Sequence, residues 1–195
     1  MAIISAPRLL VEGALTGPGA LVVEGGVILD ILEGRPAPGA GHLALGTGIL
    51  SPGLIDVQIN GCFGIDLVQA TDDEWQTVSR ALPRFGVTAF QPTYITNPIP
   101  ALVAGLLRFA SVRPRLDAAG GAHPVGVHLE GPFISPERRG VHDVAFKLEP
   151  TDAQIDALLS DPEIRRQITM ATLAPELPGA LAAIRRMTAA GIVVS

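Results

Sequence analysis

Between Ile49 and Ser195 the chain alternates short apolar, strand-like runs with helix-like stretches, and this alternation limits its fold more than any other feature. Ile49 to Ile59 reads as a strand. Thr71-Asp-Asp-Glu-Trp opens a helix, with Thr71 at the cap and Glu74 three residues on, the spacing of a capping box. Gly86 to Thr93 is a second strand, followed by a helix from about Ile99 to Ala110. Val125 to Glu130 is a third strand, and Thr151 to Leu159 a helix capped by Thr151. Ile168 to Ala174 is a fourth strand with its helix at Leu177 to Ala190, and Ile192-Val-Val-Ser195 begins a fifth. Near-continuous apolar strands between helices specify an α/β fold with a parallel sheet covered on both faces. Four βα units and the opening of a fifth fit half of an α/β barrel, and an open doubly wound sheet shares that periodicity. No Gly-x-Gly-x-x-Gly or Gly-x-x-x-x-Gly-Lys loop follows any strand, which favours the barrel over a nucleotide-binding sheet.

The first 48 residues follow a different pattern. Ala20 to Glu24 and Val27 to Leu32 flank Gly25-Gly26 as two strands of a hairpin. The Gly/Pro-rich stretch Gly34 to Gly41 reads as a loop or boundary. The expected organisation is a small β domain at 1–48 and a different architecture at 49–195. With 195 residues, 48% of them hydrophobic, the chain can bury a core, yet it falls short of the about 250 residues of a complete barrel. An unclosed barrel would leave an unpaired strand edge and exposed apolar surface, with aggregation the expected result.

Mean hydropathy is +0.40, but no run approaches the about 18 apolar residues of a membrane helix. The N-terminus lacks the layout of a secretory signal, so a soluble, cytoplasmic protein is the simplest expectation. A net charge of -5 without long like-charge blocks argues against nucleic acid or an anionic membrane as partner. A single cysteine, Cys62, permits no intrachain disulfide and no Cys-only zinc site. It reads as a packing residue, since a nucleophilic role needs a neighbouring base.

Two segments carry candidate chemistry. In Ser51-Pro-Gly-Leu-Ile-Asp-Val-Gln-Ile-Asn-Gly-Cys-Phe-Gly64, extended geometry puts Asp56, Gln58 and Asn60 on one strand face. Polar groups near the carboxyl end of a buried strand are costly unless they bind something. Asp56 and Asn60 could equally satisfy loop backbone groups. The second segment, Val125 to His142, ends a buried strand in a carboxylate, Glu130, where a parallel α/β barrel places catalytic groups. His128 shares its face and reads as a hydrogen-bonded histidine rather than a ligand. Glu130 could instead pair with Arg138 or Arg139, which otherwise read as a solvated pair. Thr93, Tyr94 and Thr96 are expected to be structural, and His42 and His123 to lie in loops.

Both segments closely resemble the corresponding motifs of N-acetylglucosamine-6-phosphate deacetylases, a family within the amidohydrolase superfamily. The first is similar to its Pro-Gly-x-Ile-Asp-x-(His/Gln)-x-(His/Asn)-Gly motif, and the second to its Glu-centred metal-ligand segment. The resemblance implies the N-terminal half of a TIM-like (β/α)8 barrel and hydrolysis of N-acetylglucosamine 6-phosphate to glucosamine 6-phosphate and acetate, a step of amino sugar catabolism. It implies Glu130 as a metal ligand, with Val141 by its backbone and His142 by its side chain as substrate contacts. Many amidohydrolases carry His-x-His where Gln58 and Asn60 stand, and a neutral amide binds zinc or iron far more weakly than imidazole. The departure points to a single divalent metal, zinc or iron, with Gln58 orienting water or the substrate amide. A homodimer is implied for the complete enzyme. Two histidine ligands and the catalytic aspartate would lie beyond Ser195, so residues 1–195 are expected to hold no catalytic residue and to be inactive alone. A dihydroorotase-like cyclic amidase is the alternative enzyme, with Gln58-Ile-Asn60 against it, and a non-catalytic half-barrel binding module the alternative without chemistry.

Overall fold

The computed structural model describes residues 1–37, 39–118 and 120–195. Pro38, inside the expected Gly34 to Gly41 loop, lies outside the described residues. The chain divides into two compact units, Met1–Gly53 and Leu54–Ser195.

The first unit is a four-stranded sheet. Its strands are β1 (Ala2–Ala6), β4 (Gly19–Glu24), β5 (Val27–Glu33) and β6 (His42–Ala44), in the order β5-β4-β1-β6; β2 (Leu10–Val11) and β3 (Ala14–Leu15) form a separate two-stranded ladder. The expected hairpin is present: β4 and β5 pair antiparallel with Glu24 opposite Val27. Gly25 and Gly26 both have positive φ, as a two-residue turn matched to the strand twist requires. His42 is not in a loop but opens β6, where its Nε2 lies 2.8 Å from Ser5 Oγ on β1.

The second unit contains β7 (Leu54–Ile59), the short hairpin β8 (Gly61–Cys62) and β9 (Ile65–Asp66), then α1 (Asp72–Ala81), β10 (Val87–Ile95) and α2 (Ile99–Ala118). There follow β11 (His123–Pro124), β12 (Val127–Glu130), α3 (Asp152–Leu159), α4 (Pro162–Arg165), β13 (Ile168–Thr172), α5 (Ala180–Ala189) and β14 (Val193–Val194). Every pairing of the six-stranded sheet is parallel, while β8 and β9 pair antiparallel in a ladder of their own. β7 lies on one side of β10, with β11 and β12 on the other, and the sheet continues through β13 to β14. Strand order thus follows chain order without the reversal that marks a doubly wound sheet. β7 exposes Leu54, Ile55 and Val57 at its edge.

Several boundaries differ from expectation, each for a local reason. The run expected as one strand from Ile49 begins only at Leu54, because Pro52-Gly53 interrupts it and Leu50 bridges to Leu9 instead. The run from Val125 to Glu130 splits at Gly126, whose φ is +140 and whose missing Cβ leaves room for the Thr169 side chain. His123, expected in a loop, opens β11 on the near side of that break. α2 continues through Pro114 to Ala118 rather than ending near Ala110, because Phe109, Val112 and Leu116 keep one face buried at helical spacing. α5 starts at Ala180, after Gly179 at φ +83. α4, with Asp161 accepting from Glu163 N at 2.7 Å, has no counterpart in the expected elements. The Thr71 cap is as expected: Thr71 N donates to Glu74 Oε2 at 2.8 Å, and Glu74 N to Thr71 Oγ1 at 3.3 Å.

The core lies between the sheet and its helices. Phe90 and Tyr94 of β10, with Leu129 of β12 and Ala171 of β13, are buried on one face. Trp75 of α1 packs against Phe109 of α2 at 5.5 Å between ring centroids and against Phe90 at 6.5 Å. Strand alternation then turns Thr93, His128, Glu130 and Thr172 to the opposite face. Among the described residues, no helix is long and apolar enough to cross a membrane.

Candidate active site

The carboxyl ends of the parallel strands gather a row of polar side chains. Asn60, just past β7, donates from Nδ2 to the Thr93 carbonyl of β10 at 3.3 Å. Thr93 Oγ1 lies 3.4 Å from His128 Nδ1, and His128 Nε2 lies 2.8 Å from Thr172 Oγ1. The row crosses β7, β10, β12 and β13, and pairing of Thr93 with His128 and of Glu130 with Thr172 fixes its register. Below it, Gln91 Nε2 donates to Thr169 Oγ1 at 2.6 Å.

His128 is 2% exposed. Burial pushes its imidazole below the ordinary histidine range, while the Glu130 carboxylate acts in the opposite sense. A neutral ring with one donor and one acceptor nitrogen fits between two hydroxyls, each able to donate or accept.

Glu130 ends β12 half-buried, level with Ile95 and Thr172, and the chain leaves it through Gly131, whose N donates to Thr172 O at 3.1 Å. Among the described residues no ion pair joins it to Arg138 or Arg139; the pairs formed are Met1–Glu24, Arg115–Asp72, His123–Asp117, and Arg186 with Asp152 and Asp156. Among those residues, too, no group of three His, Cys, Asp or Glu side chains is disposed to hold a metal. Zinc sites use at least three protein ligands, so Glu130 alone does not make a site.

A cleft of about 640 Å³ opens beside this row, with Asn60, Thr93, Thr96, Asn97, Val141 and Asp143 in its walls. It brings together two of the residues singled out from the sequence, Asn60 and Val141, the latter 89% exposed. His142, between two wall residues, is 8% exposed and turned toward β10, where its Nδ1 lies 2.8 Å from Thr96 Oγ1. Glu130 is not part of the cleft wall, and neither is Gln58, which is exposed on β7. Asp56 accepts from Gln58 N at 3.1 Å, the backbone-satisfying arrangement weighed for it above. Burial, and then the charge of Asp56, raise the Cys62 thiol above the ordinary cysteine range, which disfavours the thiolate.

Thr93, Thr96 and Thr172 were not expected at the site. Their signal is faint: polar positions interrupting apolar strands, each partnered by a residue distant in sequence.

No protein-family model matches the chain. It is 40% identical over 200 residues to the N-acetylglucosamine-6-phosphate deacetylase of Bos taurus, covering 96% of this chain and 46% of that protein. A crystal structure of N-acetyl-D-glucosamine-6-phosphate deacetylase from Mycobacterium smegmatis superimposes with a TM-score of 0.85 at 30% identity, covering 100% of this chain and 53% of that one. A mutant of that enzyme in complex with N-acetyl-D-glucosamine-6-phosphate gives a TM-score of 0.85 at 30% identity, over 99% of this chain and 48% of that one. The chain therefore spans about half the length of the proteins it matches, and the matched half is their N-terminal part.

Proposed function

We propose, from a chain that matches the N-terminal part of N-acetylglucosamine-6-phosphate deacetylases in both sequence and fold, that it belongs to an enzyme hydrolysing the acetamide of N-acetylglucosamine 6-phosphate. Water adds across the amide, acetate departs with the new oxygen, and glucosamine 6-phosphate keeps the nitrogen as an amine. The observation that carries this reading is the row of Asn60, Thr93, His128, Glu130 and Thr172 at the carboxyl ends of parallel strands in chain order, where α/β barrels place their chemistry.

In this reading residues 1–48 form a small β domain and residues 49–195 the first half of a (β/α)8 barrel. Strand order following chain order supports that half-barrel, as does the exposed apolar edge of β7. Val141 by its backbone and His142 by its side chain contact the sugar at the cleft. The amides Gln58 and Asn60 stand in place of imidazoles, which favours a single divalent metal, zinc or iron. Glu130 is one ligand to it. Residues 1–195 do not by themselves fit that metal, since they offer no further grouped ligands among the described residues, and no step is assigned to a metal held by them alone. They are accordingly inactive in isolation. A homodimer in the cytoplasm completes the proposal. Acetate release from N-acetylglucosamine 6-phosphate by the natural gene product, and its absence in the isolated 195 residues, tests the reading. Acetate release by the isolated residues would contradict the inactivity assigned to them.

A further inference from the structure

We propose that Thr96 is a positioning residue: its hydroxyl holds the His142 imidazole by Nδ1 and so fixes one wall of the cleft. This rests on the function proposed above, which makes that cleft the place where the sugar is contacted. Thr96 directly follows β10, and His142 lies 46 residues later in the loop after β12. Their side chains meet at 2.8 Å, and both residues are buried.

Two observations show the place to be built around the Thr96 hydroxyl. A Cβ on Gly131 would collide with Thr96 Oγ1, and Gly131 passes it with φ +98, a conformation open to glycine. The chain neighbours of His142, Val141 and Asp143, line the cleft together with Thr96 itself. The loop is also tied internally, with His142 N donating to Arg139 O at 3.1 Å and Asp143 accepting from Ala145 N at 2.9 Å. The His142 ring therefore joins a locally folded loop to the end of β10. With Nδ1 engaged by a hydroxyl that can donate or accept, the ring is held in place and Nε2 is the ring nitrogen left for a ligand.

The test compares wild type, Thr96→Val and Thr96→Ser in the natural gene product. Valine keeps the shape and removes the hydroxyl; serine keeps the hydroxyl. Long-range 1H–15N NMR, assigned through loss of the signal in His142→Gln, is expected to give the same His142 ring-nitrogen shifts in wild type and Thr96→Ser. Thr96→Val is expected to move the Nδ1 shift, because its hydrogen-bond partner is gone. KM for N-acetylglucosamine 6-phosphate is expected to rise about fivefold to tenfold in Thr96→Val, more than kcat falls, and to return within about twofold in Thr96→Ser. A wild-type ring spectrum in Thr96→Val would overturn the proposal. Should Thr96→Val fail to fold, the serine variant decides, because a displaced Nδ1 shift in Thr96→Ser overturns it equally. A wild-type product that releases no acetate would overturn the function reading, and the ring-nitrogen comparison would still decide the role of Thr96.

Discussion

His128 Nε2 on β12 lies 2.8 Å from Thr172 Oγ1 on β13, and the same ring reaches Thr93 on β10 through Nδ1 at 3.4 Å. One buried imidazole thus links three adjacent strands at the end of the sheet that carries Glu130. Removing its shorter bond leaves a buried nitrogen without its main partner. Thr172→Val is expected to cost about 1–3 kcal/mol, read as a lower urea midpoint at unchanged m-value. A midpoint equal to wild type would show that the bond contributes nothing to the fold.

The same ring makes stability depend on pH. Burial depresses the folded-state pKa of His128 below the unfolded value of about 6.5. The unfolded state therefore binds the proton more readily, and the stability held by the neutral ring is complete above about pH 6.5. It is lost progressively as pH falls through the folded-state pKa. Urea unfolding at intervals from pH 7.5 downward is expected to show this decline in wild type and a flatter profile in His128→Gln. Identical slopes would remove His128 as its cause.

Gly105 on α2 tests packing against propensity. Alanine is the better helix former by about 1 kcal/mol, but a Cβ here would lie 2.9 Å from Tyr94 Cε2, and Tyr94 Oη donates to Gly105 O at 3.2 Å. Gly105→Ala is expected to destabilise by about 1–3 kcal/mol through overpacking. Thermal unfolding checks the sign, and an increase in Tm would mean that Tyr94 moves aside freely.

Phe109→Ala removes the ring that Trp75 packs against at 5.5 Å. A loss of about 3–5 kcal/mol is expected from the second unit, with Trp75 fluorescence reporting the transition. A loss below about 1 kcal/mol would show that the helix layer is not closely packed on the sheet.

What the sequence revealed was local. The Thr71–Glu74 cap and the Gly25-Gly26 hairpin are each written within a few residues, and both stand in the structure. The alternation of strands and helices came through for the same reason, since periodicity needs only neighbouring residues. The end of α2 did not, because Pro114 argues locally against a helix that the burial of Val112 and Leu116 sustains. Nor did the break at Gly126, which depends on Thr169 in another strand. At the site, Glu130 was legible as a carboxylate closing an apolar strand. The partners of Thr93, Thr96 and Thr172 were not, because each lies 35 to 46 residues away in the sequence, on a neighbouring strand or in the loop after β12.

The most direct measurement is acetate release from N-acetylglucosamine 6-phosphate, with metal content on the same samples, for the natural gene product and its Glu130→Gln variant. The wild type is expected to release acetate and carry about one divalent metal per chain, and the variant to lose both, because a neutral amide is a poor ligand for zinc or iron. A wild type that leaves the acetamide intact, or a Glu130→Gln variant that keeps full metal and full activity, would contradict it.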